Sequence, residues 1–124
     1  SPNTISSSSL IMRGKNGNII PTEHNLKCAT YLDQTAKILS SNFIYNKEFQ
    51  QQLKQHKATS HIGLSFKINL DGKILKLDIK NSSNDILLDQ YIINILNNLH
   101  YLIPIPEYLK EEELTLDFRA ILNH

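Results

Sequence analysis

Cysteine, methionine and tryptophan are almost missing from this chain: its 124 residues hold one Cys, one Met and no Trp. With Cys28 alone, an internal disulfide is excluded and the redox compartment cannot be read. No apolar run approaches the roughly 18–20 residues of a membrane span, and no secretory signal pattern opens the chain. An exported or anchored protein would need a segment upstream, and the chain is then expected to be a fragment. An excess of either charge is missing too. The 13 basic and 12 acidic residues are interspersed and give a formal net charge of +1, which argues against a nucleic-acid or anionic-membrane surface. The length bounds the fold to one domain with a modest core.

What is present is patterned. The run GLSFKINLDGKILKLDIKNSSND, residues 63–85, holds two apolar-polar alternations around Asp71-Gly72. That dipeptide predicts a two-residue type I′ loop. Leu70 then faces Lys73, Ile68 faces Leu75, Phe66 faces Leu77 and Leu64 faces Ile79. A one-residue slip would set the apolar set of one strand against the polar set of the other. Beyond the hairpin, Ser82, Ser83 and Asn84 are N-cap candidates. Asp85 and Asp89 put negative charge in the first turns. Leu88, Tyr91, Ile92, Ile95, Leu96 and Leu99 keep helical spacing, until Pro104 and Pro106 forbid continuation. A last alternation carries Leu114, Leu116 and Phe118 on one face.

Upstream, residues 1–9 are polar and of low complexity and read as a linker end or tail. Residues 10–20 suggest a small hairpin around Gly14–Gly17, and 21–25 a loop, so 1–26 is expected as a linker or irregular segment. The folded domain is expected over 27–124. It opens with a helix from about Lys27 to Ser40, with Leu32, Ala36, Leu39 and Phe43 in one stripe. In residues 46–57 only Phe49 and Leu53 are apolar, which fits a short helix touching the core by one edge. The expected fold class is α+β: a three-stranded antiparallel sheet with helices packed on one face. Right-handed crossover through the helix and a proline-free first strand give the order 2-1-3.

Residues with chemical potential are scattered. Gly14-Lys15-Asn16-Gly17 fits the G-x-x-G loop that clamps nucleic-acid backbone in KH domains, but too little chain precedes it and a plain glycine turn is preferred. His24 and Cys28 could form an imidazole–thiolate pair, yet Cys28 falls on an apolar helix stripe and is expected to be buried. His56 and His61 have no third ligand at useful spacing, and His100 and His124 sit at segment ends. Glu107, Glu111, Glu112 and Glu113 read as a solvated turn after Pro106. No catalytic residue, metal site, cofactor or small-molecule substrate is expected.

The strand into Asp-Gly, the strand after it, Ser82-Ser83, and the helix ending near Pro-x-Pro together resemble the C-terminal domain of TonB-type energy transducers. The likeness covers about residues 27–122. YLDQTAKILSSNFIY, IPIPE and LTLDFRA look closer to the TolA branch. Two features depart from the family. The cysteine pair of some TolA domains is absent, and Tyr45 is followed by Asn46 where TonB carries Tyr-Pro. The resemblance implies a non-enzymatic periplasmic module, anchored in the inner membrane by an upstream segment and coupled to a proton-driven motor. Its implied partners are TolB and the Pal system, with colicins and phage exploiting the same domain. For TonB they are outer-membrane transporters held through an extended peptide. A structural interaction domain of another envelope or secretion complex is the alternative class. A nucleic-acid module through Gly14–Gly17 is a third.

Both outer strands of the expected sheet have an open edge. The hairpin edge carries Lys73, Lys76 and Lys80, and lysine blunts an edge. The closing strand is less guarded. Leu114, Thr115, Leu116, Asp117, Phe118, Arg119 and Ala120 are therefore the expected partner-binding residues, through strand addition. The helical side around Gln90 and Asn94 is the fallback.

Overall fold

Alternation decides the register of the hairpin. β1 (Ile5–Arg13) precedes helices α1 (Leu26–Ile44) and α2 (Lys47–Gln55). The hairpin strands β2 (Ser60–Asn69) and β3 (Ile74–Asn81) follow, then α3 (Ile86–Asn97), a 3-10 turn at Glu107–Leu109, and β4 (Glu113–Leu122). The computed structural model describes residues 5–55 and 60–122, without the side chains of 5–7 and 60. Phe66 pairs with Leu77 and Leu64 with Ile79, as the pattern requires. Phe66 is fully buried.

The hairpin tip differs from the expected two-residue loop. Gly72 N–H donates to Asn69 O, and Asn69 N–H donates to Lys73 O. Gly72 has φ 82°, whereas Asp71 is not among the positive-φ residues. The loop is therefore Leu70-Asp71-Gly72, a tight turn ended by one left-handed residue. The Asn69 side chain selects it: its Oδ1 accepts from the N–H groups of Asp71 and Lys73, both at 3.0 Å. A register shift follows at Lys67/Ile68, so Ile68 pairs with Ile74 and Leu75 is half exposed.

The sheet has four strands rather than three, in the order β1-β4-β2-β3. The added strand is β1, which falls in the segment expected to be a tail and small hairpin. All neighbours are antiparallel. Leu64, Phe66, Ile68, Leu114, Leu116, Phe118, Ala120 and Met12 enter one core with Leu39, Phe43, Phe49, Leu53, Leu88 and Ile92 from the helices. The opposite face of the sheet is left to solvent.

The helices begin where side chains satisfy orphan N–H groups. Asn25 Oδ1 accepts from Cys28 N–H at the start of α1, and Asn46 Oδ1 accepts from Phe49 N–H at the start of α2. For α3 the cap is Asp85, accepting from Leu88 N–H, and not Ser82, Ser83 or Asn84. The two serines act one turn away: the hydroxyls of Ser82 and Ser83 and the N–H of Ser83 all donate to Asp89. These three bonds onto one carboxylate fix how the chain leaves β3 and enters α3.

After α3 the chain runs over the hairpin tip. Ile74 N–H donates to His100 O, Leu102 N–H to Gly72 O and Ile105 N–H to Leu70 O, at 2.8–3.0 Å. Pro104 and Pro106 flank Ile105, whose N–H is the one used. Gly72 is thus needed twice, for its positive φ and for space. A Cβ there would lie 2.3 Å from Leu102 O. Tyr31 ties α1 to the same crossing segment, its hydroxyl donating to Ile103 O at 3.1 Å. Burial pushes the Tyr31 phenol up to about 12.

Two outcomes are expected. Gly72→Ala should cost about 1–3 kcal/mol or more in urea unfolding, since left-handed strain and a backbone clash act together. The Tyr31 phenol titrates higher folded than unfolded, so its contribution is complete below pH 10. Stability should fall between about pH 10 and 12, by on the order of 2–3 kcal/mol. In Tyr31→Phe, unfolding curves across that range should lose this part of the fall.

Candidate functional site

Residues 114–120 lie in β4, between β2 and β1. Leu114, Leu116, Phe118 and Ala120 are buried on the core face. Thr115, Asp117 and Arg119 stand on the solvent face, with Arg119 exposed. The free edge expected beside them is not free: β1 pairs along it from Arg13↔Thr115 to Ile5↔Leu122. β1 is held there because Met12 is fully buried and Leu10 packs against the core. Arg13 Nε also meets Asp117 Oδ2 at 2.9 Å. A strand added at that edge would have to displace β1.

The open edges are elsewhere. On β3, the His100–Leu102 crossing covers the start of the edge, and Lys76 and Lys80 guard the rest. On β1, Ile20 N–H donates to Met12 O, and Arg13 bridges Ile19. Together these cover only the C-terminal end. Met12 C=O therefore points away from β4. In a strand a residue's N–H and C=O share a side and alternate with the next residue, so Leu10 and Ser8 also aim theirs outward. No described strand pairs with this edge. Its residues, ISSSSLIM, carry no charge until Arg13, which is the composition an unguarded edge has.

An apolar groove of about 400 Å³ runs beside this edge. Leu10, Met12, Ile20, Pro21 and Leu32 line it, with Thr22 and Glu23 at the rim. Backbone groups and an apolar slot therefore adjoin, which is what an added strand needs: main-chain bonds for affinity and a pocket for alternate side chains. The small hairpin expected over residues 10–20 is formed, with Arg13 bridging Ile19, but sequence reasoning missed that its first arm runs back to Ile5 as β1 and joins the sheet. Its signal was the alternation of Leu10 and Met12 with Ile11 and Arg13, hidden by the serine run.

The other candidates fall apart or stay plain. Gly14–Gly17 is a turn, with Gly17 N–H donating to Gly14 O and Gly17 at φ 85°. It joins two extended segments, not two helices. His24 is exposed and Cys28 is 2% exposed, so they do not meet at one surface. His61 and His100 are exposed, while His56 and His124 lie outside the described residues. Glu113 pairs with Lys67 at 3.2 Å, and Glu111 packs over Gly14. Among the described residues no group of His, Cys, Asp and Glu is arranged to hold a metal. On α3, Asp89, Gln90, Ile93 and Asn94 line only an open hollow.

No family model matches the chain, and no curated protein matches it. Among solved structures it is similar to the solution structure of the Helicobacter pylori TonB C-terminal domain. The TM-score is 0.54 at 23% identity, over 77% of this chain and 81% of that one. The fold is TonB C-terminal-domain-like.

Burial predicts the behaviour of Cys28. Thiol labelling of the native protein should be slow and should accelerate only in denaturant that opens α1. Rapid labelling in buffer would contradict the packing of that helix.

Proposed function

We propose that this chain is a non-enzymatic, periplasmic protein-interaction module of the TonB/TolA type, which couples an inner-membrane motor to outer-membrane partners. It captures an extended partner segment by strand addition. The observation that carries this reading is the uncharged, unpaired outer edge of β1 beside the apolar groove, within a TonB-like fold. The edge supplies alternating donors and acceptors at Ser8 and Leu10. The groove takes one side chain of the partner. Strand addition is thus assigned to the outer edge of β1, one strand beyond residues 114–120, whose own edge is already paired.

Within this class we favour the TolA branch, on Ile103-Pro-Ile-Pro-Glu107 and Leu114-Thr-Leu-Asp-Phe-Arg-Ala120. TolB and Pal-type envelope proteins are then the partners. The structural likeness is to a TonB domain, and a TonB role would replace those partners with the peptide of an outer-membrane transporter.

The test uses the full-length protein in its own cells. A photo-crosslinking residue at Ile11, which is 38% exposed on β1, should capture a periplasmic or outer-membrane protein. A Pal-system catch supports TolA and a transporter catch supports TonB. Ser8→Pro should weaken capture about 2- to 10-fold with unchanged thermal unfolding. It deletes one outward N–H worth about 0.5–1.5 kcal/mol and spares the ladder to β4. Capture of cytoplasmic proteins alone, or full binding by a folded Ser8→Pro variant, would overturn the proposal.

A further inference from the structure

On the solvent face of the sheet several charges fall in pairs. Arg13 meets Asp117 at 2.9 Å, Lys67 meets Glu113 at 3.2 Å and Lys76 meets Asp78 at 3.6 Å. Arg119, on the same face, has no carboxylate among the described residues. Its cross-strand neighbours explain why: Ser9 stands opposite on β1 and Gly63 opposite on β2. Both are small, and neither can neutralise a guanidinium.

The same two small residues leave a hollow. It is an open depression of about 420 Å³, lined by Ser9, His61, Gly63, Asn81, Arg119 and Ile121. Gly63 forms part of its lining, and Asn81 leans over it, so that a Cβ on Gly63 would lie 3.2 Å from Asn81 Oδ1. A register shift between Gly63 and Leu64 pairs Gly63 with Asn81 and brings that amide to the rim. Ser9, His61, Asn81 and Arg119 form no side-chain hydrogen bond or ion pair with the described protein. Four polar side chains able to donate converge on one concavity, around a guanidinium that no described carboxylate compensates. Convergent polar groups in a concave site are what fix a ligand's orientation.

We propose that this depression is a second contact site of the module, which receives a carboxylate side chain from a partner segment. The guanidinium of Arg119 takes the carboxylate through paired N–H donors, the geometry arginine offers and lysine does not. The Asn81 amide and the Ser9 hydroxyl donate from the rim. Ile121 gives the neighbouring residue of the segment an apolar rest. The site lies on the solvent face of the sheet, so it can be occupied together with the outer edge of β1. That the occupant is a protein segment rests on the proposed module function; the preference for a carboxylate rests on the charge pattern alone.

The experiment is a titration of the isotope-labelled 124-residue protein followed by amide resonances. One probe is an acetylated, amidated peptide pool with a central glutamate between randomised apolar positions. The second is the matched glutamine pool, and the third is inorganic phosphate. The glutamate pool should shift the amides of Ser9, Gly63 and Asn81. The glutamine pool should act at least about tenfold more weakly, as should the glutamate pool on Arg119→Gln, with Arg119→Lys intermediate. Arg119 is exposed and outside the core, so these variants should fold. An equal response to both pools, an unchanged response in Arg119→Gln, no shift at these amides, or full reproduction by phosphate would each overturn the proposal. Crosslinking from Ile11 reads the β1 edge separately. Captured envelope partners with an inert Arg119 would refute the carboxylate site and leave the module standing.

Discussion

The pairing of β1 with β4 is the constraint on which the rest depends. It turns β4 from an edge into an interior strand, and it moves the free edge outward by one strand. It also sets Ser9 beside Arg119 and Arg13 beside Asp117. Its anchoring is modest. Among the described side chains of β1 only Met12 is fully buried, and the Arg13–Asp117 pair is part-exposed, where such pairs contribute about 0–1 kcal/mol. The ladder of main-chain bonds must therefore supply much of the hold. The strand that presents the new edge is also among the more lightly anchored of the sheet.

Much of the fold was legible in the sequence wherever one face is buried. The register of Phe66 with Leu77 follows from alternation and the turn, because a one-residue slip would set the apolar set of one strand against the lysine-bearing set of the other. The helix over 86–97 follows from the spacing of Leu88, Ile92, Ile95 and Leu96, and its end from the two prolines beyond it. Three things were not legible, each for a physical reason. The turn type was decided by the Asn69 side chain, which competes for the N–H groups of Asp71 and Lys73 and lengthens the loop by one residue. The cap of α3 moved to Asp85 because Asp89 engages Ser82 and Ser83 for a different purpose. Most of β1 stayed hidden for a physical reason too. Ser8 and Ser9 are exposed, so hydrophobic period carried no signal there, and a strand stretch joined to its neighbour through backbone bonds leaves little trace in composition.

The candidate site was less legible than the fold for the same reason. Residues 114–120 were singled out because nothing in the sequence guarded their edge. That lack of lysine is now explained by an interior position, where no guard is needed. The logic of guarded and unguarded edges holds once the sheet is complete. β3 keeps its lysines and its crossing segment, while β1 presents an edge without charge beside a groove. Outward from β4, the unpaired Arg119 marks a further place where the fold leaves a chemical group unanswered.

Hydrogen exchange along β4 tests the central claim most directly. An interior strand bonds with its two neighbours through alternate residues, so every amide from Leu114 to Ile121 should be protected close to the level of global unfolding. If alternate amides of β4 exchange at the rate of an exposed edge while their neighbours stay protected, β1 does not occupy that edge, and the account of the binding surface fails with it.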